Sequence, residues 1–180
     1  WNDRILAASV QLGDGRRYPA VPGSGPRPPT VLIAPLRDVA TIDGTGLACS
    51  ELPSGSLQGV IAFILRGTCF FRDKLNHAQR AGAVGGLVYT DAERPDPITM
   101  DVLDATLPAM MVSHADGLEI KQALQQNPTL VAALDFSTSA VPVDPNRVAG
   151  FSSRGPSTDL GIKPDLVATG VAVRTADLRG

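Results

Sequence analysis

The residues of this chain that could act as nucleophiles or bases are few and widely separated. The run Gly150-Phe151-Ser152-Ser153-Arg154-Gly155 places serines between glycines, as in the strand-to-helix turn that exposes a catalytic serine. Its spacing is Gly-x-Ser-x-x-Gly, however, which misses the Gly-x-Ser-x-Gly pattern of that turn by one residue. A nucleophilic serine also needs a base and an orienting acid. His77 and His114 are scattered elsewhere and are predicted to be solvated or at the edge of the core, so no nucleophile is predicted.

Five acidic residues between positions 90 and 106 could supply oxygen ligands to calcium: Asp91, Glu93, Asp96, Asp101 and Asp104. Calcium takes six to eight oxygens, but this stretch lacks the alternating Asp-x-Asp-x-Asp-Gly pattern of a calcium loop. We therefore interpret it as an exposed, solvated loop, with calcium as the alternative. No other cofactor is expected, because two cysteines and two scattered histidines do not have the spacing of a four-ligand zinc site.

The composition is that of a globular protein and excludes several classes of partner. Of the 180 residues, 43% are hydrophobic and 19% are charged, and 16 basic against 18 acidic residues give a net charge of −2. Because no basic run occurs, the chain lacks the positive surface that holds a nucleic-acid backbone. No stretch approaches about 18 uninterrupted apolar residues, so no membrane-spanning segment is predicted. We expect neither nucleic acid nor a membrane to be a partner.

Two successive strand-helix-strand patterns organise the middle of the chain. The apolar run from Val60 to Leu65 is typical of a strand buried on both faces. Residues 73–81 then place apolar side chains at helical spacing and end before Gly82. A strand at 86–89 completes the first unit, whose crossover should be right-handed. The second unit consists of a strand at 109–112, a helix with Ser113 as its N-cap, and a strand at 130–136.

These elements, preceded by a hairpin at 5–18 and a short strand at 31–34, predict an α+β fold. We expect a mixed sheet curled into a sandwich or an open barrel, with two short helices packed on it. The stretch 137–146 shows no apolar periodicity and is typical of a connector. We divide the chain into N-terminal strands and loops at 1–58, a core at 59–136, a linker at 137–150 and a separate segment at 151–180.

A strand, an Arg-Gly-x-Cys turn, a helix and an Ala-Gly-Ala strand entry follow one another in a single register. The residues are Leu65-Arg66-Gly67-Thr68-Cys69-Phe70-Phe71, then Ala81-Gly82-Ala83-Val84-Gly85-Gly86-Leu87-Val88-Tyr89, then Leu107-Pro108-Ala109 and Asp116-Gly117. Together they resemble the protease-associated domain across 59–124, and residues 5–58 resemble it more loosely. The resemblance makes 59–136 the core of such a domain.

The end of the chain carries a second, independent resemblance. Eight of its residues match a stretch of subtilisin-like serine proteases that follows an inserted protease-associated domain: Ser152, Ser153, Arg154, Gly155, Pro156, Lys163, Pro164 and Asp165. Where that family usually has Ala-Pro-Gly, this chain has Ala168-Thr169-Gly170. The strings Gly-Thr-Ser-Met-Ala and His-Gly-Thr-His, which hold the nucleophile and the base in that family, do not occur here. Asp43-Gly44-Thr45-Gly46 has an extra glycine and the wrong position for the family's Asp-Thr-Gly motif.

These resemblances imply a non-catalytic domain of a secreted, extracellular subtilisin-like serine endopeptidase. Such inserts shape access to the active-site cleft, help select substrates or mediate self-association. The implied partners are therefore a protein or peptide substrate, the rest of the catalytic domain, and a second copy in a homodimer. The alternative is a free-standing peptide-binding or sorting module, since similar domains occur in receptors and beside metal-dependent aminopeptidases. Residues 150–170 favour the protease, because a receptor has no use for them.

Four residues near one end of the sheet are the candidates for peptide binding: Arg66, Thr68, Phe70 and Asp91. Arg66 follows a buried strand and precedes Gly67, so its guanidinium could pair with a carboxylate. That carboxylate belongs either to a bound peptide terminus or to the same domain, and the internal salt bridge is the favoured interpretation.

Cys49 and Cys69 leave two alternatives open. In a secreted protein, a bridge between them would close a loop of about 20 residues and stabilise the fold by roughly 3 kcal/mol. We hypothesise that they pair. The alternative is a pair of inert, buried thiols.

Overall fold

The computed structural model describes residues 4–144, within which seven strands and three helices follow one another. No helix of this part of the chain is both long enough and apolar enough to cross a bilayer. The elements are β1 Arg4–Leu12, β2 Arg17–Pro22, β3 Leu32–Asp38, α1 Ala40–Asp43, β4 Ile61–Leu65, α2 Phe71–Arg80, β5 Gly85–Tyr89, β6 Ala109–Val112, α3 His114–Gln126 and β7 Val131–Pro142.

The seven strands close into a barrel in the order β1-β2-β6-β5-β4-β3-β7. The neighbours β3, β4, β5 and β6 run parallel, whereas the other pairs are antiparallel. The prediction of a mixed sheet that curls is therefore confirmed, and the barrel is closed because β7 pairs with both β1 and β3. Closure leaves the sheet without unpaired edges, which protects it from pairing with other chains.

Two elements differ from the sequence-based expectation. The single-turn helix α1 was not predicted, since four residues carry no helical periodicity. β7 extends to Pro142, into the stretch that the sequence assigns to a connector, and Pro142 pairs with Arg4. Its distal residues are mostly exposed, so they lack the alternation that marks a half-buried strand. Residues 151–180 and the subtilisin-like motif within them lie outside the described residues.

β4 separates two hydrophobic clusters. Ile61 and Phe63 belong to a cluster that includes residues of α3, while Ala62 and Ile64 belong to one that includes residues of α2. All four side chains are completely buried. This burial on both faces explains the unbroken apolar run in the sequence.

The predicted N-cap of α3 is present. Ser113 Oγ accepts a hydrogen bond from Asp116 N at 3.2 Å and donates one to Asp116 Oδ2 at 2.6 Å. These contacts satisfy one of the backbone donors that a helix start leaves unpaired. One turn further on, Gly117 packs against Tyr89 of β5 so closely that a Cβ built on it would lie 2.4 Å from Tyr89 Cβ.

We predict that Gly117→Ala destabilises the domain by about 1–3 kcal/mol, because the new methyl group overlaps a backbone-proximal atom of Tyr89 and α3 must shift. Alanine is more favourable than glycine inside a helix by about 1 kcal/mol, which offsets part of this destabilisation. Gly13→Ala is the matched control, since its added Cβ would be 3.6 Å from the nearest atom. Urea unfolding monitored by circular dichroism measures both changes. A Gly117→Ala chain as stable as the parent would contradict this account of the α3–β5 contact.

Candidate functional site

The carboxyl ends of three parallel strands bring predicted peptide-binding residues to one edge of the barrel. Arg66 follows β4, Asp91 lies shortly after β5, and His114 follows β6. Backbone hydrogen bonds join the segments that follow these three strands: Arg66 N donates to Tyr89 O at 2.8 Å, and His114 N donates to Pro95 O at 2.9 Å. Parallel α/β sheets preferentially bind ligands beyond the carboxyl ends of their strands. This edge is therefore the candidate site.

The turn between β4 and α2 exposes two of the four candidates. Gly67 has φ +148°, a conformation that side-chain-bearing residues rarely adopt, and a Cβ there would lie 2.9 Å from Leu47 Cδ2. The glycine thus lets the chain turn directly after Arg66. Thr68 is exposed, and Phe70, which precedes α2, is 74% exposed. An aromatic ring this accessible provides apolar contact area for a partner.

Two arginines and one carboxylate form the charged centre of the edge. Arg94 Nη2 donates to Asp91 Oδ2 at 2.7 Å, and Arg94 N donates to Asp91 Oδ1 at 2.9 Å. These bonds, with a smaller contribution from the Arg66 charge, hold the pKa of Asp91 below its usual range. The structure thus brings Arg66 and Asp91 within electrostatic reach of each other.

Arg66 differs from Arg94 in having no ion-pair partner among residues 4–144. The internal salt bridge favoured from the sequence is therefore absent from this part of the chain, because Arg94 engages the Asp91 carboxylate instead. The pKa of the Arg66 guanidinium is lowered mainly by its partial burial and secondly by the neighbouring Arg94 charge. A guanidinium without an anion offers planar, bidentate binding to an incoming carboxylate.

A disulfide borders this surface. Cys49 and Cys69 are bridged with an S–S distance of 2.07 Å and a Cα–Cα distance of 5.7 Å, which ties the loop after α1 to the turn after β4. Behind the bridge, the completely buried Lys74 of α2 donates from Nζ to Leu47 O at 2.5 Å and lies 3.7 Å from Cys49 Sγ. Burial lowers the pKa of Lys74 to about 8, with Asp43 acting in the opposite direction.

The loop that carries Cys49 is organised by Asp43. The Asp43 carboxylate accepts backbone hydrogen bonds from Thr45 at 2.8 Å, Gly46 at 2.6 Å and Ala48 at 2.9 Å. Burial alone would raise the pKa of Asp43. The hydrogen bonds from the backbone donors have the larger combined effect, so the pKa of Asp43 is lowered. Ala48 is held at φ +51°. Short polar side chains that bond to nearby backbone donors are typical of such turns.

Three residues of the site were missed or left without a role by the sequence analysis: Asp43, Lys74 and Arg94. A signal existed for Lys74, which stands four residues before Ala78 and hence on the apolar face of α2. For Asp43, the following glycines and Thr45 were a turn signal. For the pairing of Arg94 with Asp91, the spacing of three residues was the signal.

The two histidines take part in separate structural contacts. His77 Nδ1 is 2.8 Å from Ala48 O, and His114 Nδ1 is 2.7 Å from Thr90 O. Neither ring contacts a serine hydroxyl or a carboxylate within the described residues. In the same part of the chain, no three His, Cys, Asp or Glu side chains are grouped so that they could hold a metal ion. The calcium alternative stays a prediction.

A family model and several curated proteins match part of this chain in sequence. The family model described as "PA domain" matches residues 31–120. C5a peptidase of Streptococcus pyogenes is 36% identical over 115 residues, which are 63% of this chain and 10% of that protein. Minor extracellular protease Vpr of Bacillus subtilis is 35% identical over 118 residues, 65% of this chain and 14% of that protein. The chain thus spans only about a tenth of the length of these curated relatives.

Two solved structures have a similar fold over about three quarters of this chain. A zinc aminopeptidase from Bacillus subtilis aligns over 77% of this chain and 33% of its own, with a TM-score of 0.57 and 23% identity. The psychrophilic subtilisin-like protease Apa1 of Pseudoalteromonas sp. AS-11 aligns over 76% of this chain and 34% of its own, with a TM-score of 0.53 and 20% identity. The matched range 31–120 is half of the 180 residues. This chain belongs to the PA domain family.

Proposed function

We propose that this chain is the non-catalytic PA domain of a secreted subtilisin-like serine endopeptidase, where it modulates which substrates reach the active-site cleft. The observation that carries the proposal is the combined match: the PA family model covers residues 31–120, which hold β3 to β6, and curated relatives that match 63–65% of the chain are named peptidases, proteases or proteinases. Residues 152–156 and 163–165 resemble subtilisin-like proteases and support the parent's class. The hydrolysis of peptide bonds by the parent protein belongs to this proposal.

The absence of a catalytic arrangement within residues 4–144 supports a non-covalent role. Nucleophilic catalysis requires a hydroxyl or thiol within hydrogen-bonding reach of a base that a third group orients. Both histidine rings instead contact backbone carbonyls, and the two cysteines are joined to each other. The domain is left to act through the shape and charge of its surface.

The surface proposed for peptide contact is the edge formed by Arg66, Thr68, Phe70 and Asp91. Arg66 supplies a cation without an anionic partner in the described chain, and Phe70, four residues further on, supplies exposed apolar area. A substrate carboxylate and a neighbouring apolar side chain match these two features. The remainder of the catalytic domain and a second copy of the chain are further partners under the same proposal.

A free-standing peptide-binding or sorting module is the second candidate. It is favoured by one observation: the whole candidate edge is built from residues 66–114, so it does not need the protease-like segment. Both functions use the same edge. They differ in whether the parent polypeptide includes a subtilisin-like catalytic domain.

We predict that the 180-residue chain does not hydrolyse casein and is not labelled by a serine-directed fluorophosphonate, because residues 4–144 place no nucleophile within hydrogen-bonding reach of a base and the sequence holds neither Gly-Thr-Ser-Met-Ala nor His-Gly-Thr-His. Subtilisin treated in parallel is the positive control for both assays. Stoichiometric labelling of the chain, detected by intact mass, would overturn the non-catalytic assignment.

We predict that Arg66→Gln weakens the retention of peptides with free carboxyl groups. The immobilised chain is challenged with a tryptic digest of casein, before and after methyl esterification of the peptide carboxyls. The parent should retain the untreated digest several-fold better, and Arg66→Gln should lose that preference, since one charge-assisted pair contributes about 1–3 kcal/mol. Arg37→Gln is the matched control, as Arg37 is an exposed arginine on β3. Equal retention by parent and Arg66→Gln chains would count against Arg66 as a carboxylate contact.

A further inference from the structure

The two sulfurs of the disulfide have chemically different surroundings. Cys49 Sγ lies 3.7 Å from the Lys74 ammonium and 3.4 Å from Thr68 Oγ1. Cys69 is half-buried and stands between Thr68 and Phe70, both of which are exposed. Cys49 is half-buried as well, so the two sulfurs differ in charge and not in exposure: the ammonium is on the Cys49 side.

The Lys74 ammonium is well placed to stabilise a negative charge on Cys49. It has three donor hydrogens, and its nearest oxygen partner is Leu47 O. Two other titratable groups face this region. Asp43 is the carboxylate that acts on Lys74, but its oxygens are occupied by backbone donors, and the His77 ring is bound to Ala48 O. A cation next to a thiol lowers the pKa of that thiol and favours the thiolate.

We propose that Cys69 is a site of reversible S-thiolation by low-molecular-weight thiols of the glutathione class, with Cys49 as the leaving and resolving sulfur. A thiolate, having lost its proton to solvent, attacks Cys69 Sγ. The bond between Cys69 and Cys49 breaks, a mixed disulfide forms on Cys69, and the electron pair departs on Cys49 Sγ beside Lys74. Attack by Cys49 on the mixed disulfide restores the bridge and releases the small thiol. A second small thiolate instead yields its own disulfide and leaves both cysteines reduced.

The identity of the leaving sulfur decides which of the two cysteines is attacked. In thiol-disulfide exchange the sulfur with the lower thiol pKa departs faster, so attack at Cys69 is favoured over attack at Cys49. The Lys74 ammonium beside Cys49 Sγ is therefore the feature that directs attack to Cys69. Opening the bridge would remove the covalent tie between the loop organised by Asp43 and the turn that carries Thr68 and Phe70, and would add a peptide-sized acidic group to the candidate edge.

The first test uses the unaltered 180-residue chain. It is exposed briefly to millimolar reduced glutathione, quenched with acid, alkylated with N-ethylmaleimide, and mapped by mass spectrometry of peptides. We expect glutathione on Cys69 and maleimide on Cys49. Glutathione mainly on Cys49, an equal distribution between the two, or no adduct at all would overturn the proposal.

The second test measures the charge effect directly. In the Cys69→Ser chain, the pH dependence of iodoacetamide alkylation should give a Cys49 thiol pKa at least about 1 unit below the usual value of about 8.5. Adding Lys74→Met should bring it back to about 8.5 or above, whereas adding Lys121→Met, which removes a lysine bonded to Tyr89 and Asp38, should not change it. An unshifted Cys49 pKa in the Cys69→Ser chain would overturn the role of Lys74. Should a variant fail to fold, the site of glutathione attachment in the unaltered chain still decides the proposal.

Discussion

Burial of β4 on both faces is the constraint on which the rest of the domain depends. One face places Phe63 against Tyr89, with ring centroids 4.5 Å apart and planes inclined by 16°, and the other places Ile64 among residues that pack with α2. A strand of this kind needs parallel neighbours on both sides and cover above and below. The helices α2 and α3 pack on its two sides, and the parallel strands β4, β5 and β6 end at one edge of the barrel. The candidate site is thus a geometric consequence of how the core is built.

Lys74 links that core to the surface. A buried ammonium loses hydration and is tolerated when hydrogen-bond acceptors replace the lost water. Leu47 O and Cys49 Sγ are the acceptors near it, and both belong to the loop that Asp43 holds in place. The loop is consequently required to remain over α2. The disulfide fixes the same loop to the turn after β4, so one cluster combines a covalent tie with an electrostatic one.

The parts of the fold that could be predicted from the sequence are those with local signals. The apolar run at 60–65, the helical spacing after Asp73 and the cap at Ser113 all correspond to elements of the structure. Barrel closure could not be predicted in this way, because Arg4 and Pro142 pair across almost the whole described chain and carry no mutual signal. The pairing of Arg94 with Asp91, in contrast, is local, since only three residues separate the two.

The turn between β4 and α2 is held at both of its ends, and this bears on how it could bind a partner. At one end, Arg66 N is bonded to Tyr89 O, and at the other Cys69 is bridged to Cys49. Ordering a loop on binding costs conformational entropy, so a loop that is already fixed binds more tightly for the same contacts. Reduction of the bridge would remove the covalent tie, while Arg66 N stays hydrogen-bonded to Tyr89 O and Phe70 O still accepts hydrogen bonds from Asp73 N and Lys74 N. The contacts proposed at Arg66 and Phe70 would then be preorganised by backbone hydrogen bonds alone, and Cys69 with Thr68, between them, would gain the most freedom.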